Sequence, residues 1–255
     1  MMVSGGAGVD GLLKDPTLPH LPLSRFVDPD LTARMVEYVA SQVLHHQRRM
    51  TEYAEHQRNR RWTCTPEPMA QEVRVGVMGL GQMGVACLTA LKVFGYRLSG
   101  WSRSAHAIEG VRCFSGRDRL AEFLAGVDIL VSVLPLTPET HGIIDLELIR
   151  GLSRSGRHER LPGPVLINAG RGGLQVEADI LAALDEGTLY AASLDVFETE
   201  PLPEQSPLWG HPRIVVTPHN AAESAPRAIA KYCVRQVALH RAGKPIENVV
   251  DRHRG

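Results

Sequence analysis

No apolar run in this chain approaches the roughly 20 residues needed to span a bilayer, which argues against a membrane protein. Nor is there a net charge. With 28 basic residues against 28 acidic ones in a chain of 255, no bulk attraction to nucleic acid is expected. The opening residues, Met1-Met2-Val3-Ser4-Gly5-Gly6, lack the basic start and apolar core of a secretion signal. Cysteine is sparse: Cys64, Cys87, Cys113 and Cys233 stand apart without a CxxC pair. They are expected as buried thiols of a cytoplasmic protein rather than as a disulfide framework. Internal repeats and low-complexity tracts are missing too. What remains is an ordinary globular composition, 44% hydrophobic and 22% charged, sufficient for one large domain or two smaller ones around a sizeable core.

Up to about Val27 the chain is rich in Gly and Pro and promises only fragments of regular structure. A helical pattern opens at Asp28-Pro29-Asp30, with Asp28 or Asp30 as its cap. The stripe Leu31, Met35, Tyr38, Val43, Leu44 and Met50 carries it to about Arg61. The second half of this helix, residues 45–61, is dense in His and Arg. Glu52 and Glu55 interleave and no aromatic platform accompanies the arginines, so a solvated or subunit-facing side is expected there. The adjacent His45 and His46 would point in different directions on a helix, which argues against a metal site. Residues 63–70, with Pro66 and Pro68, read as a linker. Beyond it strands are expected at 73–78, 96–101, 111–114, 128–134, 165–167, 190–194 and 214–216. Helices are expected at 82–94, 117–125, 145–152, 177–186 and 222–241. This alternation predicts an α/β fold, a doubly wound parallel sheet covered on both faces.

The ends of those strands carry the chemistry, as they do in open parallel sheets. Gly79-Leu80-Gly81-Gln82-Met83-Gly84 lies between a strand and a helix, the context that gives a GxGxxG run its meaning. Gly79 permits the tight turn, Gly81 lets the backbone approach a pyrophosphate, and Gly84 lets helix and strand pack closely, while the helix N-terminus offers free N–H groups. The next strand ends in Trp101-Ser102-Arg103-Ser104, without the carboxylate that would accept from a ribose 2′-hydroxyl. Ser102 and Arg103 can instead donate to a 2′-phosphate, which favours NADP(H) with NAD(H) as the alternative. Arg171 sits among Gly170, Gly172 and Gly173, where a guanidinium can grip a carboxylate with two parallel hydrogen bonds. Asp195 to Pro201 brings Glu198 and Glu200, one of which is expected to face inward, and Thr217-Pro218-His219 brings an imidazole. A carboxylate beside His219 prepares it as a proton donor. The set reads as a nicotinamide-dependent reductase of 2-keto acids.

At this point a family resemblance becomes visible. Residues 76–81, 100–104, 134–140, 167–173, 194–203 and 217–219, together with the glycine-rich stretch from Ser4 to Asp10, resemble the D-isomer-specific 2-hydroxyacid dehydrogenase family, in its glyoxylate/hydroxypyruvate reductase A type. The resemblance implies two domains with the active site between them, and usually a homodimer. Arg171 would bind the substrate carboxylate and carbonyl, His219 would be the acid/base, and Glu200 would pair with it. Backbone N–H groups of Gly6, Ala7 and Gly8 would help hold the carboxylate. Asp195 would receive the nicotinamide carboxamide, and Leu134 and Pro135 would line the cofactor. Asn220 stands where the family usually has an apolar residue.

The family also carries several tens of residues ahead of the glycine-rich loop, and here the sequence opens almost at that loop. The division expected is a Rossmann dinucleotide-binding domain over 28–226, a connecting helix over 227–245, and an incomplete flavodoxin-like substrate domain over 1–27 and 246–255. A late start codon and a truncated product are the two explanations. Rival readings are an NADP(H)-binding pseudoenzyme, a regulatory binding module, and another dinucleotide enzyme such as a 3-hydroxyacid dehydrogenase. The retained Arg171, Glu200 and His219 count against the second, and their order against the third.

Overall fold

A computed structural model describes residues 1–6, 8–153 and 156–252. In chain order the elements are β1 (Met2–Val3), α1 (Asp10–Leu13), β2 (Leu23–Ser24), α2 (Pro29–Gln47), α3 (Met50–Arg58), β3 (Arg74–Met78), α4 (Gln82–Leu91), β4 (Arg97–Ser102), β5 (Arg112–Ser115), α5 (Leu120–Ala125), β6 (Ile129–Ser132), α6 (Leu146–Gly151), β7 (Val165–Asn168), α7 (Glu177–Asp185), β8 (Ala191–Leu194), β9 (Ile214–Val216) and α8 (Pro226–Arg241). Strands β3 to β9 form one sheet in the order β5-β4-β3-β6-β7-β8-β9, with every neighbouring pair parallel. The order reverses between β3 and β6, which is the switch point of a doubly wound Rossmann fold and opens a crevice at the carboxyl ends of those strands.

Strands β6, β7 and β8 are buried at every position, which is why they read as largely apolar runs rather than alternating ones. One face packs Leu130, Leu166 and Ala192 against Phe123, Ile149 and Ile180. The other packs Val75, Val77, Ile129 and Ile167 against Val39, Val43, Leu88 and Leu91 of α2 and α4. Each of the Val, Leu, Ile and Phe side chains among these, fully buried, contributes about 1.5–3 kcal/mol of transfer free energy. At the opposite end of the sheet from the crevice, Arg74 grips the buried Asp128 through two guanidinium hydrogen bonds of 3.0 and 2.6 Å.

Two expectations about the first helix need correction. It does not run unbroken to Arg61: α2 ends at Gln47, Arg49 takes left-handed backbone angles (φ 54°), and α3 restarts at Met50. The break lets Arg49 turn onto Glu52, which also accepts from Tyr190 next to β8. Nor is the histidine-rich stretch wholly solvated. His46 is buried and its Nε2 lies 2.7 Å from Ser193 Oγ on β8. The Ser193 hydroxyl donates onward to Gln42 at 2.7 Å, so His46 must donate through Nε2. Gln47 is buried beside it and accepts from the Tyr96 hydroxyl at 2.7 Å.

Smaller differences have similarly local causes. Helix α8 begins at Pro226 rather than at residue 222, because proline at the first helical position holds Ala225 extended (ψ 129°). The four cysteines are free, but only Cys87 is buried; Cys64 is exposed in the linker after α3. Burial pushes the Cys87 thiol up to about 12. Beside the main sheet, β1 and β2 form a parallel pair, and the C-terminal segment returns to them through Val250 N–H to Leu23 O (2.8 Å). Val9, Leu23 and Val250 make a small apolar cluster there. Tyr232 ties this unit to α8 by donating to Arg25 O at 2.7 Å and stacking edge-on against Phe26.

Candidate active site

A cleft of about 1060 Å³ runs along the carboxyl ends of the central strands and under the β1–β2 unit. Its dinucleotide end is built by the turn from β3 to α4. Gly79 has φ +103°, which only glycine adopts without strain, and a Cβ on Gly84 would fall 1.8 Å from Gly79 O. At Gly81, by contrast, an added Cβ would meet no protein atom within 4 Å: the space above it belongs to the cleft. Gly81 caps α4 with extended backbone and no side-chain hydrogen bond, leaving the first N–H groups of the helix, from Gln82 and Met83 onward, for an anion. Gly79, Gly81, Gln82, Met83 and Gly84 all line the cleft, as do Leu134 and Pro135 after β6.

At the end of β4 the expected pair divides. Arg103 lines the cleft. Ser102 is buried, and its hydroxyl donates to Ser104 O at 2.7 Å within its own turn. His106 completes that turn. Its Nδ1 lies 3.0 Å from Ser104 O and 3.1 Å from Ser102 Oγ; since a carbonyl only accepts, Nδ1 carries the proton. Across the cleft, Glu139 is held below the usual carboxylate range, chiefly by its hydrogen bond with Thr137 and then by its own backbone, with Arg103 adding to the effect.

The catalytic wall rises from β7, β8 and β9. Asn168, fully buried at the end of β7, donates to Gln175 Oε1 (2.7 Å) and to Arg171 O (3.2 Å) and accepts from Gly170 N–H (3.1 Å). Gln175 in turn donates to Val196 O at 2.9 Å. A Cβ on Gly172 would stand 1.7 Å from Phe197 O, so the loops after β7 and β8 touch backbone to backbone. Arg171 is thereby turned into the cleft, half-buried, with Nη1 donating to Gly170 O at 2.7 Å. Gly8 lies directly against its guanidinium, and Gly6 lines the same region; Ala7 is outside the described residues.

His219 faces this wall with φ 52°, uncommon for a residue with a side chain. Its Nδ1 lies 2.7 Å from Glu200 Oε2, and Glu200 Oε1 accepts from Phe197 N–H at 3.0 Å. Glu198 points elsewhere, exchanging hydrogen bonds of 2.8 Å with the backbone and carboxylate of Glu177. The Asp195 carboxylate, 1% exposed, accepts from the Thr217 hydroxyl (2.7 Å) and from the N–H groups of Asn220 and Ala221 (3.0 Å each). Asn220 leaves its side chain exposed and uses only its N–H here. Asn168 and Gln175 were not singled out from the sequence; the adjacency of Asn168 to Arg171 was the available signal, whereas Gln175 gave none. Among the described residues no group of His, Cys, Asp and Glu is arranged to hold a metal, and no helix is long and apolar enough to cross a membrane.

Fold and cleft together define an α/β protein with an NAD-binding Rossmann domain. The pattern of the D-isomer specific 2-hydroxyacid dehydrogenase NAD binding domain matches residues 40–221, and the chain belongs to that family. It is 40% identical to glyoxylate/hydroxypyruvate reductase A of Escherichia fergusonii, an alignment spanning 98% of this chain and 80% of that protein. The crystal structure of the NADPH-dependent glyoxylate/hydroxypyruvate reductase of Sinorhizobium meliloti, in complex with NADP and sulfate, superposes with a TM-score of 0.93 at 46% identity, covering 98% of this chain and 78% of that one. The D-isomer specific 2-hydroxyacid dehydrogenase of Xanthobacter autotrophicus, in complex with NADPH and MES, gives 0.91 at 42% identity, covering 97% and 99%.

Proposed function

We propose that this chain reduces a small 2-keto acid, of the glyoxylate or hydroxypyruvate type, to the 2-hydroxy acid at the expense of NADPH. The observation that carries the reading is the His219–Glu200 contact of 2.7 Å at Nδ1, in the same cleft as Arg171. With Nδ1 held by a carboxylate, Nε2 is the nitrogen left to face the carbonyl oxygen. Arg171 grips the carboxylate and leans on the carbonyl, helped by backbone N–H groups around Gly6, Ala7 and Gly8. His219 delivers a proton as negative charge develops on that oxygen, and Glu200 steadies the imidazolium before delivery. NADPH, when bound, supplies the hydride to the carbonyl carbon.

The cofactor fits what the chain offers. The open space above Gly81 and the uncapped start of α4 suit a pyrophosphate. Arg103, with no carboxylate at the end of β4, suits a 2′-phosphate, and NADP and NADPH are the cofactors in the two related crystal structures; NAD(H) is the weaker alternative. Asp195 has acceptor capacity left for the nicotinamide carboxamide. We place the protein in the cytoplasm as a homodimer through the α2 region, with no nucleic-acid or membrane partner, and with residues 1–27 and 246–255 as its substrate side, 28–226 as its dinucleotide domain and 227–245 as the connecting helix. Oxidation of NADPH in the presence of glyoxylate or hydroxypyruvate tests the reading. His219→Ala should depress kcat with little change in NADPH affinity, and Arg171→Ala should mainly raise KM. Wild-type rates from His219→Ala at neutral pH would overturn it.

A further inference from the structure

We propose that Tyr38 is a positioning residue for His219, acting from α2 through Thr217 and Asp195; the inference rests on the reading of His219 as proton donor. The Tyr38 hydroxyl lies 2.8 Å from Thr217 Oγ1, and Thr217 Oγ1 lies 2.7 Å from Asp195 Oδ1. Chemistry fixes the direction of this chain. The Thr217 hydroxyl gives its single proton to Asp195 Oδ1, so Tyr38 must donate to Thr217. Burial pushes the Tyr38 phenol up to about 12, which keeps it a donor throughout the neutral range.

Asp195 then gathers the whole turn that presents His219. Its carboxylate takes the N–H groups of Asn220 and Ala221 at 3.0 Å, and its backbone carbonyl takes the His219 N–H at 2.8 Å. His219 itself has φ 52°, a conformation that side-chain-bearing residues hold only when their surroundings over-determine it. Three backbone N–H bonds to one buried residue supply that constraint. The Tyr38–Thr217 link orients the carboxylate end of it from a helix packed on one face of the sheet. Without the Tyr38 proton, Thr217 Oγ1 loses its donor and is free to rotate away from Asp195, and the turn loosens where the imidazole is aimed.

The test is Tyr38→Phe in the full chain, read first by amide hydrogen exchange, which needs no turnover. Exchange at residues 219–221 should accelerate about tenfold, the net weight of one hydrogen bond, while α2, β8 and β9 keep their wild-type rates. In the keto-acid assay kcat should fall by a similar factor, with KM and NADPH affinity within about twofold. Thr217→Val should reproduce both effects, Thr217→Ser should restore both, and the double variant Tyr38→Phe/Thr217→Val should be no worse than Thr217→Val. Unchanged exchange at 219–221, or an increase spread evenly over α2, β8 and β9, would overturn the proposal. His219→Gln separates the two levels. If it abolishes turnover while Tyr38→Phe leaves kcat and local exchange untouched, only the positioning role falls; if His219→Gln retains turnover, the underlying reading falls and the role of Tyr38 goes with it.

Discussion

Gly8→Ala isolates the contribution of Arg171 without altering Arg171 itself. A Cβ on Gly8 would lie 1.5 Å from Arg171 Nη2, 2.7 Å from Cζ and 3.1 Å from Nε, so the guanidinium has to move. The atoms in the way are the far end of a flexible side chain, so relief is cheap for the fold: stability should change by less than about 1 kcal/mol. The cost falls on recognition instead. Displacing the guanidinium removes one charge-assisted hydrogen bond to the substrate carboxylate, worth about 1.5–3 kcal/mol, or roughly tenfold to 150-fold in affinity at about 1.4 kcal/mol per decade. Gly5→Ala is the matched control in the same loop, because Gly5 is exposed, does not line the cleft, and an added Cβ there meets no protein atom within 4 Å. Steady-state kinetics on glyoxylate, with thermal unfolding alongside, should show KM raised by that factor in Gly8→Ala with an unshifted melting temperature, and KM within about threefold of wild type in Gly5→Ala. A Gly8→Ala protein that is equally stable and keeps wild-type KM would refute the reasoning, since it would mean Arg171 can yield to the methyl group and still grip the substrate.

Arg103→Ala should weaken NADPH by roughly tenfold to hundredfold and leave NADH nearly unchanged, the size of one charged hydrogen bond; cofactor fluorescence titration measures it, and equal losses for the two cofactors would contradict the assignment. A second consequence concerns acid stability. Burial, with the neighbouring His45 adding to it, lowers His46 from its ordinary 6.5 to about 3, so between those values the unfolded chain binds a proton that the folded one refuses. Stability from this group is therefore fully present above about pH 6.5 and declines as pH falls, by up to about 1.4 kcal/mol per unit. Urea unfolding at a series of pH values between 7 and 4 should show a flatter decline in His46→Gln than in the wild type, and identical slopes would count against a neutral buried His46.

The parts of this molecule legible in its sequence are those whose cause is local. Strands β6 and β7 announce themselves because burial on both faces fills residues 129–131 and 165–167 with apolar side chains. The turn at Gly79 is legible because only glycine tolerates its backbone angle and the close approach at Gly84. What escaped depends on partners distant in the chain. Nothing near Arg49 signals a helix break; the reason is Glu52 meeting Tyr190, 138 residues away. His46 looks like a surface histidine until Ser193, 147 residues on, stands against it. Within one loop, the sequence could say that a single glutamate of the pair 198 and 200 faces inward, but the selection is made by Glu177, whose backbone and carboxylate hold Glu198 away. Tyr38 is the sharpest instance. As a letter in a helical stripe it has the rank of any core aromatic, and only the meeting with Thr217, 179 residues later, turns it into a donor at the root of the turn that aims His219.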